Sequence, residues 1–178
     1  MENRLLLDMD GVMCDTMGAV FNEVRTNHGI DIVHADITDY WFKDSPASVD
    51  CFMDALRTKG IYRNLDVITG AVGAVNRLRE QFDVVVCTAP MKGAEFCEDE
   101  KREWLAEHFD QDFAERAIVT ADKSKVIGRL LIEDNPHVES PAQVIMFDQA
   151  YNRDRTDVPR MYGWHDLKVI QEAMEWTK

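Results

Sequence analysis

Residues 5–12 read Leu5-Leu6-Leu7-Asp8-Met9-Asp10-Gly11-Val12, and how they are read decides the fold. A short apolar run ended by a glycine turn is the pattern of a buried strand. Two carboxylates stand at its carboxyl end, where open α/β sheets bind ligands. Residues i and i+2 of a strand share a face, and Gly11 lets the chain turn at once. Asp8 and Asp10 therefore crowd one small volume. Their repulsion and desolvation require a compensating cation or proton, and a hard, oxygen-seeking ion such as Mg²⁺ is the natural one. The plainer alternative makes one aspartate a helix cap and leaves the other solvated, so the rest of the chain must decide.

Working outward, Met17, Val20, Phe21 and Val24 recur at helical spacing before Asn27-His28-Gly29. Residues 30–62 show no strand alternation. Tyr40-Trp41-Phe42 forms an aromatic cluster, Ser45-Pro46 is expected to open a helix, and Phe52, Met53 and Leu56 give it an apolar stripe. The alternation of strand and helix resumes near Leu65. Thr69-Gly70 precedes a helix with Val72, Val75 and Leu78 inward, and Asp83 to Cys87 reads as a second buried strand ending in Thr88-Ala89-Pro90. A long helix is expected over 93–109, with Phe96, Trp104, Leu105 and Phe109 on its buried side. Further strands are expected at 117–119, 130–132 and 144–147, and Trp164, Leu167, Ile170 and Met174 mark a closing helix. The expected fold is α/β, a doubly wound parallel-sheet core (residues 1–15 and 65–178) with a small helical cap (residues 16–64) inserted after the first strand.

The composition limits the partners. A net charge of −13 disfavours long nucleic acid, which is held by basic patches. No segment approaches the roughly 20 apolar residues of a membrane span, and the first residues do not resemble a signal peptide, so a cytoplasmic protein is expected. Cys14, Cys51, Cys87 and Cys97 lack metal-site spacing and are expected to be free thiols, mostly buried. The five histidines are scattered and suggest neither a ligand nor a base.

If the strands are parallel, their carboxyl ends bring Asp8, Asp10, Thr88 and the pair Glu133-Asp134 to one crevice, with Lys123 and Lys125 just past the third strand. Carboxylates, a hydroxyl and an ammonium together fit a metal-bound phosphate better than an apolar ligand. Each has an ordinary alternative: Thr88 as an N-cap, the lysines as solvated charges, Glu133 to Pro136 as a turn. Their coincidence at strand ends is the stronger signal.

In these motifs the chain resembles the haloacid dehalogenase superfamily of phosphotransferases. Its four motifs occur in order: Asp8-Met9-Asp10-Gly11-Val12, Thr88, Lys123 and Glu133-Asp134. Within that superfamily it most resembles the 5′(3′)-deoxyribonucleotidases. The likeness covers nearly the whole chain, including residues 7–15, 86–90, 115–123 and 130–134 and the aromatic Tyr40-Trp41-Phe42. Three positions depart from the family's usual pattern: Ala89 stands for a Ser, Thr16 for an aromatic residue, and Glu133 for the first Asp of the acidic pair.

The resemblance implies an Mg²⁺-dependent phosphatase acting on nucleoside monophosphates through an aspartyl-phosphate. Asp8 would be the nucleophile and Asp10 the acid and base. The metal would sit on Asp8, the Asp10 carbonyl and Asp134. Thr88, Lys123 and the Ala89 backbone would bind phosphate, and Tyr40, Trp41 and Phe42 would line the nucleoside pocket. Of the two lysines the resemblance selects Lys123, although the residues alone leave Lys125 open. The expected partner is a small nucleotide, with no membrane, and a homodimer is compatible with the reading. Rival readings are a phosphatase for sugar phosphates or polynucleotide 3′ ends, and a phospho-receiver domain without turnover.

Overall fold

The structure is a computed structural model describing residues 3–175. Six parallel strands form one sheet in the order β3-β2-β1-β4-β5-β6. They are β1 (Arg4–Leu7), β2 (Asp83–Thr88), β3 (Ile118–Val119), β4 (Leu130–Glu133), β5 (Gln143–Phe147) and β6 (Arg160–Met161). β1 lies in the middle, with β2 on one side and β4 on the other. The chain runs outward from it in both directions, so the switch point lies at the β1–β4 seam.

The leucines of β1 explain that position. Leu5, Leu6 and Leu7 are all fully buried, because both faces of the sheet are covered, one by helices and the other by the loop segments that carry Val126, Val138 and Ala142. Leu5 and Leu7 pack with Val84, Val86, Leu130 and Ile132 in the larger core, while Leu6 packs with Val85, Cys87 and Leu131 in the smaller one. A strand buried on both sides reads as a continuous apolar run, as this one does.

Among the described residues six α-helices complete the fold: α1 (Thr16–His28), α2 (Val49–Leu56), α3 (Ala71–Arg79), α4 (Cys97–His108), α5 (Gln111–Glu115) and α6 (Lys168–Glu175). Asp15 caps α1 by accepting from Gly18 N at 2.9 Å, and Gly29 ends it in the left-handed region. α1 packs on α2 within the segment between β1 and β2, where Phe21 meets Phe52 edge to face. α4 ties down the end of that segment. Its Glu100 accepts from the backbone of Gly60 and Tyr62, and Trp104 donates to Leu65 O at 2.7 Å.

Several expectations need correction. α2 begins at Val49, not at Ser45-Pro46, because the Ser45 hydroxyl accepts from Ala47 N and folds those residues into a turn. In α3 the inward positions are Ala71, Ala74, Val75 and Leu78, and Val72 is only half-buried. The long helix expected over 93–109 is α4, which begins only at Cys97, and the short α5 that follows it was not expected, Asp110 capping it through Phe113 N. Phe96 and Phe109 flank α4 and are half-buried. Strand β6 has no counterpart among the expected strands, being two residues long and without periodicity. Trp164 and Leu167 precede α6, and Trp164 instead anchors the chain by donating to Val12 O at 2.8 Å.

Candidate active site

Three strand ends meet beside the β1–β4 seam. Asp8 extends the β1 ladder by one bond, its N–H donating to Ile132 O at 2.9 Å. The chain then folds back on itself, with the Met9 carbonyl accepting from the N–H groups of Val12, Met13 and Cys14. Gly11 makes this turn at φ +65°, and a Cβ there would lie 2.3 Å from Asp134 Oδ2. Backbone conformation and crowding both require glycine.

Asp8, Glu133 and Asp134 are buried and bring carboxylate oxygens within 4.8 Å of one another. Lys123 is buried among them, donating to Glu133 Oε2 at 2.6 Å and lying 2.9 Å from Asp8 Oδ1. The latter contact lacks hydrogen-bond geometry, so Asp8 Oδ1 is a buried oxygen with no hydrogen bond. Lys125, two residues on, is 82% exposed and pairs with Asp122. The structure thus separates the two lysines, and only Lys123 belongs to the site.

The charges do not balance locally. Burial pushes the Asp8 carboxyl up, but the ammonium charges of Lys123 and Lys101 outweigh it and hold Asp8 below its ordinary value. Burial and the Asp8 charge push Asp134 up to about 7 and Glu133 well above the carboxylate range. Burial alone would lower Lys123, yet Asp8 and Glu133 lift it above its ordinary value. A cluster that strains toward protonation is one a cation would relieve.

The donor set fits a hard divalent cation. Glu133 is already used on both oxygens, by Lys123 and by Asn135 N at 3.1 Å. Asp8 keeps its unbonded oxygen. Asp134 is steered by Tyr151, whose hydroxyl donates to Oδ2, and by Asn152, which donates to its carbonyl at 2.8 Å.

Asp10 stands apart from this trio. Its Oδ1 accepts from Thr16 Oγ1 at 2.6 Å and its Oδ2 from Lys101 Nζ. Lys101 also donates to Thr88 Oγ1 at 2.8 Å and to the Ala89 carbonyl at 2.7 Å, with the Tyr62 ring 5.3 Å away.

From these groups a cavity of about 580 Å³ opens toward the inserted segment. Tyr40, Trp41 and Phe42 all line it, on different terms. Tyr40 is set edge-on to Tyr151 and His137, both at 5.8 Å between centroids. Trp41 is 54% exposed and stacks on His137 at 5.8 Å and 11°. Phe42 has φ +61° and stacks on Phe52 at 4.5 Å, so it is shared between cavity wall and packing of the insert.

The chain matches, over residues 3–175, the family described as 5′ nucleotidase, deoxy (pyrimidine), cytosolic type C. It belongs to that family. A putative 5′(3′)-deoxyribonucleotidase of Staphylococcus epidermidis is 32% identical over 175 residues, covering 97% of each chain. Among solved structures, a haloacid-dehalogenase-like protein of Agrobacterium tumefaciens shares the fold with a TM-score of 0.62 at 14% identity, over 97% of this chain and 99% of that one. A putative hydrolase of the same type from Bacillus subtilis, solved bound to magnesium, matches at 0.54 and 16%, over 96% and 98%. Family and fold agree with the arrangement of the site, and the chain is a hydrolase of the deoxyribonucleotidase kind.

Sequence reading passed over three residues of this site. Lys101 left a trace: with Cys97, Trp104 and Leu105 it falls on the inward stripe of α4, where a charge is out of place. Thr16 was legible only as a departure from the family's aromatic residue, and the structure gives it Asp10 as a partner. Tyr151 carried no signal, because its reach to Asp134 depends on the loop after β5.

Proposed function

We propose that this chain is a cytoplasmic, Mg²⁺-dependent phosphatase that hydrolyses (deoxy)ribonucleoside monophosphates through an aspartyl-phosphate. The observation that carries the reading is the cavity itself, lined both by Asp8, Asp134 and Lys123 and by the aromatic Tyr40 and Trp41. A phosphate suits the charged groups and a flat nucleobase the rings.

Asp8 attacks phosphorus in line while the bond to the ribose oxygen breaks. Asp10 protonates that oxygen as it leaves, then takes a proton from the water that cleaves the acyl phosphate. Thr88, Lys123 and the Ala89 backbone stabilise the phosphoryl oxygens as charge redistributes. Asp8, the Asp10 carbonyl and Asp134 would hold the Mg²⁺, which would supply charge neutralisation at the phosphate. Residues 16–64 serve as a cap on the core formed by 1–15 and 65–178, presenting the aromatic wall and excluding water.

The test is phosphate release measured across all ribo- and deoxyribonucleoside monophosphates and a panel of sugar phosphates, with Mg²⁺ and with excess chelator. Nucleotides are expected to lead, and chelation to abolish turnover reversibly. A sugar phosphate turned over faster than every nucleotide would overturn the substrate assignment, and full activity in chelator would overturn the metal.

A further inference from the structure

We propose that Lys101 is a positioning residue, which sets the Asp10 carboxylate and the Thr88 hydroxyl without itself binding phosphate. The proposal rests on the reading of Asp10 as the group that protonates the leaving oxygen.

An ammonium has three N–H donors and no acceptor. Lys101 is buried and has one acceptor for each donor: Asp10 Oδ2, Thr88 Oγ1 and the Ala89 carbonyl. It is saturated from within the protein. Lys123, by contrast, lies across the acidic trio, although both lysines line the cavity.

Two consequences follow from that saturation. Thr88 Oγ1 already accepts from Lys101, so its own hydrogen is left to donate elsewhere, and its place at the end of β2 makes the phosphate the natural acceptor. Asp10 is gripped at both oxygens, by Thr16 and by Lys101, which fixes its carboxyl plane and leaves the second lone pair of Oδ1 as the site that carries the proton to be given to the leaving oxygen. Proton transfer requires such fixed geometry within hydrogen-bond reach of the leaving oxygen.

Packing alone does not explain the residue. α4 also turns Cys97, Trp104 and Leu105 inward, with Glu100 buried by its bonds to Gly60 and Tyr62, and a buried ammonium is costly unless fully paired. The pairing observed is entirely with groups of the β1 and β2 ends.

The leaving group separates this role from a structural one. p-Nitrophenolate departs without protonation, whereas an alkoxide does not. kcat/KM covers only the steps through transfer of phosphoryl to Asp8, so it isolates that proton. Lys101→Met is expected to cost an alkyl phosphate at least about tenfold more than it costs p-nitrophenyl phosphate, at the low end of what a positioned acid contributes. A ratio of losses below tenfold overturns the proposal.

If Lys101→Met does not fold, Asp10→Asn/Lys101→Met is compared with Asp10→Asn, since removing both partners avoids a buried unpaired charge. Equal kcat/KM on the aryl ester, within about threefold, supports action through Asp10, because coupled residues are non-additive. A further loss no greater than that of Thr88→Val in the Asp10→Asn background is action through Thr88, which the proposal includes, whereas a greater one places Lys101 on the phosphate and overturns it. Asp10→Asn is also the control for the underlying reading. Selectivity in Asp10→Asn but not in Lys101→Met defeats this proposal alone, whereas no selectivity in Asp10→Asn defeats both.

Discussion

Thr16 Oγ1 donates to Asp10 Oδ1 at 2.6 Å, so the first residue of α1 holds the second aspartate of the β1 loop. The position at which the inserted segment leaves the sheet is thereby coupled to the group proposed to move the proton. Thr16→Val keeps the shape and removes the donor. kcat/KM on a nucleotide is expected to fall about tenfold, the value of a hydrogen bond to a charged group. A loss under twofold would mean that Lys101 alone suffices to hold Asp10.

The strand-end motifs were legible because they combine two local signals, an apolar strand and the polar group at its tip. Asp8, Lys123 and Asp134 meet where a parallel sheet requires, and Thr88 is joined to them through Lys101 and Asp10. What escaped was of two kinds. β6 and α5 are too short for periodicity to speak. Tyr151 and Thr16 act through single side-chain contacts, from the short turn after β5 and from the first residue of α1, which no sequence period marks. Lys101 lies between these cases, since its place on the buried stripe of α4 was visible but its partners were not.

Asp8→Asn removes the proposed nucleophile and one charge from the acidic trio. Turnover is expected to fall by a factor on the order of 10³ or greater, as for other lost nucleophiles. The fold should be kept, but the melting temperature should hold or fall, because the charge removed is one that Lys123 and Lys101 favour. Retention of a hundredth of the rate would exclude covalent catalysis at Asp8.

Tyr151 orients Asp134 through its hydroxyl. Tyr151→Phe should weaken Mg²⁺ binding by roughly 10–100-fold, the usual cost of losing a partner that steers a metal ligand. Titration calorimetry of the free enzyme measures this directly. Unchanged affinity would show that Asp134 is held well enough by Asn152 and its own backbone.

His34 and Asp15 form an ion pair 2.9 Å long between the inserted segment and the cap of α1. The hydrogen bond with Asp15 raises His34 above its ordinary 6.5, and the same bond lowers Asp15 below its ordinary 3.8. The histidine's contribution is complete below 6.5 and is lost as pH rises through its raised value. The aspartate's is present above 3.8 and is lost as pH falls through its lowered value. The pair therefore stabilises between those limits. Both groups are partly exposed, so the gain is about 0.2–1 kcal/mol and shrinks with salt. Melting curves of the native chain and His34→Gln should differ at pH 5.5 and converge at pH 9. A constant difference would sink the assignment.

Trp41 separates a nucleotide pocket from a generic phosphate site. It is 54% exposed and its ring lies flat on His137, so it is not part of the core of the insert. Phe42, stacked on Phe52, is the aromatic residue that serves that core. If Trp41 stacks on the base, Trp41→Ala should reduce kcat/KM on nucleotides by about 1–3 kcal/mol, the range for base–aromatic stacking. p-Nitrophenyl phosphate, with no nucleobase, should be nearly unaffected, and the melting temperature should barely move. Phe42→Ala should behave in the opposite sense. Losing a stacked and half-buried ring should cost stability by about 1–2 kcal/mol, with both substrates affected alike. The deciding quantity is the ratio of the two kcat/KM losses, taken beside the melting curve. Equal losses on both substrates in Trp41→Ala would remove the aromatic wall from substrate binding and leave the acidic trio and Lys123 as the only recognition the cavity provides.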